Sequence, residues 1–290
     1  MNNKQKNYSQ DLSEKEKESV MYFMWLLFEN EPTRPAVKDI HNSLIEKFGE
    51  VDVVSDSNEL SSFAIKKYIS EFKDAKIPTQ LVMGDVTRFE QDTISDFERA
   101  QLWDIPNSNE LLAGCTHNIF ISDMMDTLNF EERTEMLMDW LEVAVDLFPD
   151  CVAVWIPSAG KLISAQTIRN NNFSRESRFI HYGVNARFFN IQGGNDMMVD
   201  TRGMFAMGLP DIQCHYHSLD PNDVVGYIYN IASYIYSSGN VIENGDAIDG
   251  LKDGRIDMNV QWKCSYENSL VQPVRPVIDI CPGQYAAGTR

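Results

Sequence analysis

Gly208-Leu209-Pro210-Asp211-Ile212-Gln213-Cys214-His215-Tyr216-His217, continued by Ser218-Leu219-Asp220-Pro221-Asn222-Asp223, is the stretch on which the reading of this chain turns. Residues 212–217 read as a strand that enters a helix. Asp220 can cap that helix by accepting its first free backbone N–H groups. Pro221 sits at the first helical position, where its missing N–H costs nothing. Asp223 places negative charge against the positive end of the helix dipole. Gly239, which takes left-handed backbone easily, ends the helix. Val224, Ile228, Ile231, Ala232 and Ile235 recur at helical spacing, and Tyr227, Tyr229, Tyr234 and Tyr236 fall largely elsewhere on the cylinder. So much apolar circumference predicts a central helix buried on two sides.

Working outward from this stretch, residues 1–19 are polar and charged and read as a disordered arm. Within them Ser13 and Glu16 have capping-box spacing. The apolar run Val20–Phe28 predicts a buried strand. A helix over Arg34–Phe48 follows, with Val37, Ile40, Leu44, Ile45 and Phe48 on one face and Gly49 at its end. A short strand is expected at Val51–Val54. Phe63–Phe72 and Ile77–Met83 pattern as a hairpin around Lys73-Asp74-Ala75-Lys76. Thr93–Leu102 is expected to be helical.

A second unit begins near residue 110. His117–Ile121 is a strand, Asn129–Phe148 a long helix opened by Asn129 and Glu132 at capping-box spacing, and Cys151–Ile156 a returning strand. Strand, long helix, strand is a crossover pattern. Gly193-Gly194-Asn195-Asp196 predicts a hairpin turn between Arg187–Ile191 and Met197–Asp200, and Asn244-Gly245 another turn. Asn259–Cys264 and Val274–Ile280 are the last strands. The expected architecture is α+β, with mixed, largely antiparallel sheets and packed helices in two related α/β halves. The halves are 20–105 and 110–283, with a loose tail at 284–290.

The 290 residues carry a formal charge of −18, with 43% hydrophobic and 11% aromatic residues. Such a chain repels phosphate backbones and anionic lipid surfaces, so neither nucleic acid nor a membrane is an expected partner. The longest apolar run is too short to span a bilayer as a helix. Cys115, Cys151, Cys214, Cys264 and Cys281 are odd in number and widely spaced, as in a reduced, cytoplasmic protein. The N-terminus shows no secretory h-region.

Several ordered blocks carry a family resemblance: Arg187-Phe188-Phe189-Asn190-Ile191, Met198-Val199-Asp200-Thr201, Gly208 to His215, Tyr229-Asn230-Ile231-Ala232, Trp262-Lys263-Cys264 and Val277-Ile278-Asp279. The region 187–283 resembles the bacterial domain of unknown function 4261. The resemblance implies a bacterial, cytosolic protein and carries no reaction with it.

The most chemical cluster is Cys214-His215-Tyr216-His217. On a strand, His215 and His217 share a face with Gln213. They can offer two nitrogen ligands to zinc, with Asp211, Asp200 or Glu267 as a third ligand, or they can simply form the polar side of a packed strand. The acidic run from Asp246 to Gly254 lacks EF-hand spacing and reads as turns. Ser158-Ala159-Gly160-Lys161 departs from the P-loop pattern at Trp155 and Leu162. No complete catalytic constellation and no cofactor motif is present. The leading expectation is a non-enzymatic module that binds another protein, adaptor- or immunity-like. The alternatives are a metal-assisted hydrolase using His215, His217 and a carboxylate such as Asp211, and a small-molecule sensor lined by Tyr227, Tyr234 and Trp262.

Overall fold

A computed structural model describes residues 21–57, 59–124 and 127–288. The expected N-terminal arm and its Ser13–Glu16 capping box lie outside the described residues. The described chain forms two compact units, each built on its own sheet. One unit comprises residues up to Asn185 together with Ala206–Gly208, and the other Ala186–Phe205 with the chain from Leu209. The division therefore falls at 185/186, and the expected boundary at 105–110 lies inside the first unit. Among the described residues, seven helices and fourteen strands, in two mostly antiparallel open sheets, place the fold in the α+β class.

The first unit contains β1 (Met24–Phe28), α1 (Val37–Phe48), β2 (Val51–Asp56), β3 (Leu60–Phe72), β4 (Ala75–Gly84), β5 (Thr87–Arg88), α2 (Asp96–Arg99) and α3 (Ser108–Gly114). It continues with β6 (His117–Met124), α4 (Phe130–Leu147), β7 (Ala153–Ile156), β8 (Lys161–Ser164), α5 (Ala165–Asn170) and α6 (Arg178–Gly183). The strand order is β2-β3-β4-β6-β1-β7-β8, with β5 beside β6. β1 is central and antiparallel to both β6 and β7. β6 and β7 are consequently parallel to each other with β1 between them, and α4 is the crossover joining them. Met24, Leu26 and Phe28 alternate with Trp25 and Leu27, so both sheet faces are apolar. Leu27 and Trp155 pack with Phe89, Ile94, Leu102 and Leu112. On the other face, Phe28 meets Phe148 edge to face, and the Trp140 indole N–H donates to the Val82 carbonyl.

Local signals explain most of these elements. Asn129 accepts from the Glu132 N–H at 2.8 Å and its amide donates back to the Glu132 carboxylate, which closes the N-terminus of α4. Two expectations need correction. The helix expected over Thr93–Leu102 is only a single turn at Gln91–Thr93 and the four-residue α2, capped by Ser95 and Glu98. Ile45, assigned to the buried face of α1, points to solvent. Pro157 to Gly160 form the tight turn between β7 and β8, with Ile156 paired to Lys161.

The second unit contains β9 (Asn185–Asn190), β10 (Met197–Arg202), β11 (Asp211–Tyr216), α7 (Pro221–Ser238), β12 (Ala247–Lys252), β13 (Arg255–Asn268) and β14 (Pro276–Cys281). The order is β12-β13-β14-β11-β10-β9, and β11 runs parallel to β14. Asp220 caps α7 by accepting from the Asn222 N–H at 2.8 Å, Pro221 occupies the first turn, and Gly239 ends it at φ +74°. Val224, Ile228, Ile231, Ala232 and Ile235 are all buried, as the spacing predicts. The two-sided burial does not occur. Gly226, Asn230, Ser233 and Ser237 face solvent, and Tyr234 is 51% exposed. α7 is an amphipathic helix laid on β10 and β11, and phenol groups at its margins tolerate water. The β12–β13 turn at Asp253-Gly254 has positive φ at both residues, the geometry a two-residue hairpin favours. Residues 283–288 are docked: the His217 N–H donates to the Tyr285 carbonyl, the Ala287 N–H to the His215 carbonyl, and Ala286 bridges Tyr216.

Candidate functional site

Strand alternation gives β11 two faces. Ile212, Cys214 and Tyr216 are buried on the α7 side. Asp211, Gln213 and His215 point the other way, and that polar face is also buried at Asp211 and Gln213. Burying charge is costly unless each group is paired. Here Asp200 and Asp211 face Arg187 and Arg275. The Arg187 guanidinium grips Asp200 with Nε to Oδ1 at 2.8 Å and Nη2 to Oδ2 at 2.5 Å. Arg275 donates from Nη2 to Asp200 Oδ2 at 3.0 Å and from Nε to Asp211 Oδ2 at 2.8 Å, and it also donates to the Thr201 carbonyl. The second Asp211 oxygen accepts from the Thr201 hydroxyl and the Met204 N–H, both at 3.1 Å. Two guanidiniums thus oppose two carboxylates. Burial alone would raise the Asp200 carboxyl, but Arg187 and Arg275 outweigh it and hold the group below its ordinary value.

This ionic network organises the loop between β13 and β14. Arg187 reaches the Gln272 carbonyl at 2.7 Å and Arg275 the Pro273 carbonyl at 3.0 Å. Gln213, one pair along the strand, donates to Glu267 at 2.6 Å and Asp279 at 3.0 Å, and its carbonyl accepts from the Leu270 N–H at 2.9 Å. The backbone carbonyls of a buried loop need donors. The arginines and Gln213 supply donors and an acceptor at this loop.

The sequence-derived candidates divide accordingly. Asp211 belongs to the ionic network, and the structure does not gather it with the histidines. The His215 ring lies 3.8 Å from Asp196 and against Gly288, while the His217 ring meets the Ser218 hydroxyl at 3.0 Å. No group of three or more His, Cys, Asp or Glu able to hold a metal occurs among the described residues. Tyr227 and Trp262 do meet, edge to face at 5.0 Å, and the Tyr227 hydroxyl donates to the Asp249 carbonyl at 2.7 Å. Both are buried and closely packed, whereas Tyr234 lies in solvent. An open depression elsewhere, in the first unit, is lined by Gln91, Asp92, Asp96, Arg99 and Asn109. Arg99 is fixed there by the carbonyls of Gln91 and Ile94.

Three of the thiols are held in their protonated form. Burial pushes Cys115 and Cys264 up to about 11 and Cys151 up to about 12, where the thiolate nucleophile is scarce. The sequence places Arg187 and Asp200 in the family-like blocks and Asp200 among possible metal ligands, but it assigns neither an ionic partner and does not single out Arg275. The available signal was a charge set inside apolar strand runs: Arg275 between Val274 and Pro276-Val277, and Asp279 between Ile278 and Ile280.

No helix among the described residues is long and apolar enough to cross a membrane. No curated protein and no solved structure matches the chain. Residues 200–281, which run from Asp200 through β14 and hold Asp200, Asp211 and Arg275 of the ionic network, match the family model described as Domain of unknown function (DUF4261).

Proposed function

We propose that this chain is a non-enzymatic, cytoplasmic bacterial protein that works by binding another protein, in the manner of an adaptor or immunity protein. The observation that carries this reading is the contrast between the buried polar groups and the surface. The buried carboxylates Asp200 and Asp211 and the guanidiniums of Arg187 and Arg275 are turned onto one another and onto a loop, while large apolar side chains stand in solvent on strands. Met258, in β13, is 79% exposed, and Ile256 on the same face is half exposed. Exposed apolar residues on rigid elements are the usual material of interface anchors. The charge of −18 favours a basic partner through complementary steering.

The test is co-isolation of the tagged chain from its native cells after cross-linking, followed by reconstitution from purified components. A partner that binds with Kd below about 1 µM supports the reading, an affinity near 8 kcal/mol. Failure to reconstitute any pair, together with metal-dependent turnover of ester or phosphoester substrates abolished by His215→Ala, would replace it with the hydrolase alternative.

A further inference from the structure

We propose that the open side of β2 is a docking edge for an extended segment of a basic protein partner, which joins the first sheet as an added strand. This rests on the protein-binding reading above and names its surface and the partner's chemistry. β2 ends the sheet: it pairs with β3, and among the described residues no strand lies on its other side. An edge strand offers main-chain donors and acceptors, which is how an extended peptide is taken up. In β2 the Val51 carbonyl already accepts from His41 Nε2 at 2.8 Å, so the groups on offer begin at Val53.

The side chains agree with a missing neighbour. Val51 pairs with Ile65 and Val53 with Phe63, so the four share one face. Ile65 and Phe63 are fully buried, yet Val53 is 42% and Val54 53% exposed. An incoming strand would cover both valines. By contrast β8, at the opposite edge, is almost wholly buried.

Charge selects the occupant. The side chains of Glu50 and Asp52 are 84% and 61% exposed, and Asp56 and Glu59 are exposed beyond them. Lys66 on β3 answers Asp52 at 3.1 Å and Glu50 only at 4.0 Å. A second copy of β2 pairing antiparallel about Val54 would set Asp52 of each copy against Asp56 of the other, and like charges directly opposed are destabilising. Residues 50–57 contain neither Lys nor Pro, the common guards of an edge. The register shift between Val53 and Ser55 interrupts the ladder, so the docked segment is short.

The experiment uses the full chain and three synthetic peptides: Lys-Val-Lys-Val-Lys-Val, Glu-Val-Glu-Val-Glu-Val, and the block isomer Lys-Lys-Lys-Val-Val-Val. Affinity is read by fluorescence anisotropy and location by amide hydrogen exchange. The alternating cationic peptide should bind about tenfold more tightly than either control and slow exchange within residues 51–56, and Asp52→Lys/Asp56→Lys should weaken it about tenfold. Val54→Lys, which adds a guard without touching the acidic residues, serves as the second variant and should also weaken binding. Equal binding of the block isomer, protection confined to other segments, or dimerisation of the chain through β2 would overturn the inference. Should a reconstituted partner bind the charge-reversed chain undiminished, the edge assignment falls while the protein-binding reading stands.

Discussion

Arg275 Nη2 lies 3.0 Å from Asp200 Oδ2, with both side chains completely removed from solvent. The same guanidinium holds Asp211 through Nε. One arginine therefore compensates two buried carboxylates on neighbouring strands and anchors the loop that follows β13. Such a pair is weak evidence of net stability, because desolvation opposes the attraction. Removing one partner is a different matter, since it strands a buried charge.

Arg275→Met should therefore destabilise the chain by about 3–5 kcal/mol. Arg275→Lys should recover only part of this, because an ammonium cannot fork between Asp200, Asp211 and the Thr201 carbonyl. Urea unfolding, with amide exchange across residues 269–275, measures both effects. An unchanged midpoint and a still-protected loop in Arg275→Met would show that the network does not hold the loop.

Acid should loosen the same region. Asp200 has a folded-state pKa below its ordinary value of 3.8, against the opposing effect of burial, because Arg187 and Arg275 favour its charged form. In this range the unfolded chain binds the proton more readily than the folded one. The contribution is thus complete above about pH 5 and is lost as pH falls below 3.8 through the folded value. Asp200→Asn should lower stability at neutral pH and flatten the decline in acid. Parallel acid limbs for the variant and the parent would remove Asp200 as their source.

How far the sequence was legible follows from the range of the interactions involved. Asp220-Pro221 and Gly239 bound α7, Asn129 caps α4, and the run ending at Phe28 is a strand, because caps and periodicity act within a turn or two. The one-sided burial of α7 was written in Gly226, Asn230, Ser233 and Ser237, which recur at helical spacing, but the tyrosines at its margins masked that polar stripe. Thr93–Leu102 has helical spacing, yet only Asp96–Arg99 is helical, and Ile94 and Leu102 on either side join the core separately. The ionic network was hidden by distance along the chain. Arg187, Asp200 and Asp211 stand on three strands and Arg275 in the loop just before β14, and only the order β14-β11-β10-β9 brings them together. His215 and His217, two apart in sequence and chemically suggestive, have different neighbours.

The thiols give an independent check on the non-enzymatic reading. With Cys151 pushed up to about 12 and Cys115 and Cys264 to about 11, native protein at neutral pH should consume alkylating agent slowly at these positions. Cys281, partly exposed, should react first. Mass spectrometry after timed iodoacetamide treatment orders the sites. Labelling of Cys115 or Cys264 ahead of Cys281 would reveal an activated thiol and reopen nucleophilic chemistry.

The aromatic trio separates packing from ligand contact. An ideal Cβ at Gly250 would stand 2.7 Å from the Trp262 indole, far inside contact distance, on a rigid side chain wedged against Tyr227. Gly250→Ala should cost about 1–3 kcal/mol through overpacking and alter the indole emission. Tyr227→Phe should cost about 1 kcal/mol, the worth of the lost hydrogen bond to the Asp249 carbonyl. Tyr234→Ala, in solvent on the far side of α7, should change stability by less than about 0.5 kcal/mol. Thermal unfolding of the three variants reads this order directly. If Tyr234→Ala were the costly change and Gly250→Ala the silent one, Trp262 would have room around it. A cavity for a small molecule beside Tyr227 would then be the better account of these side chains.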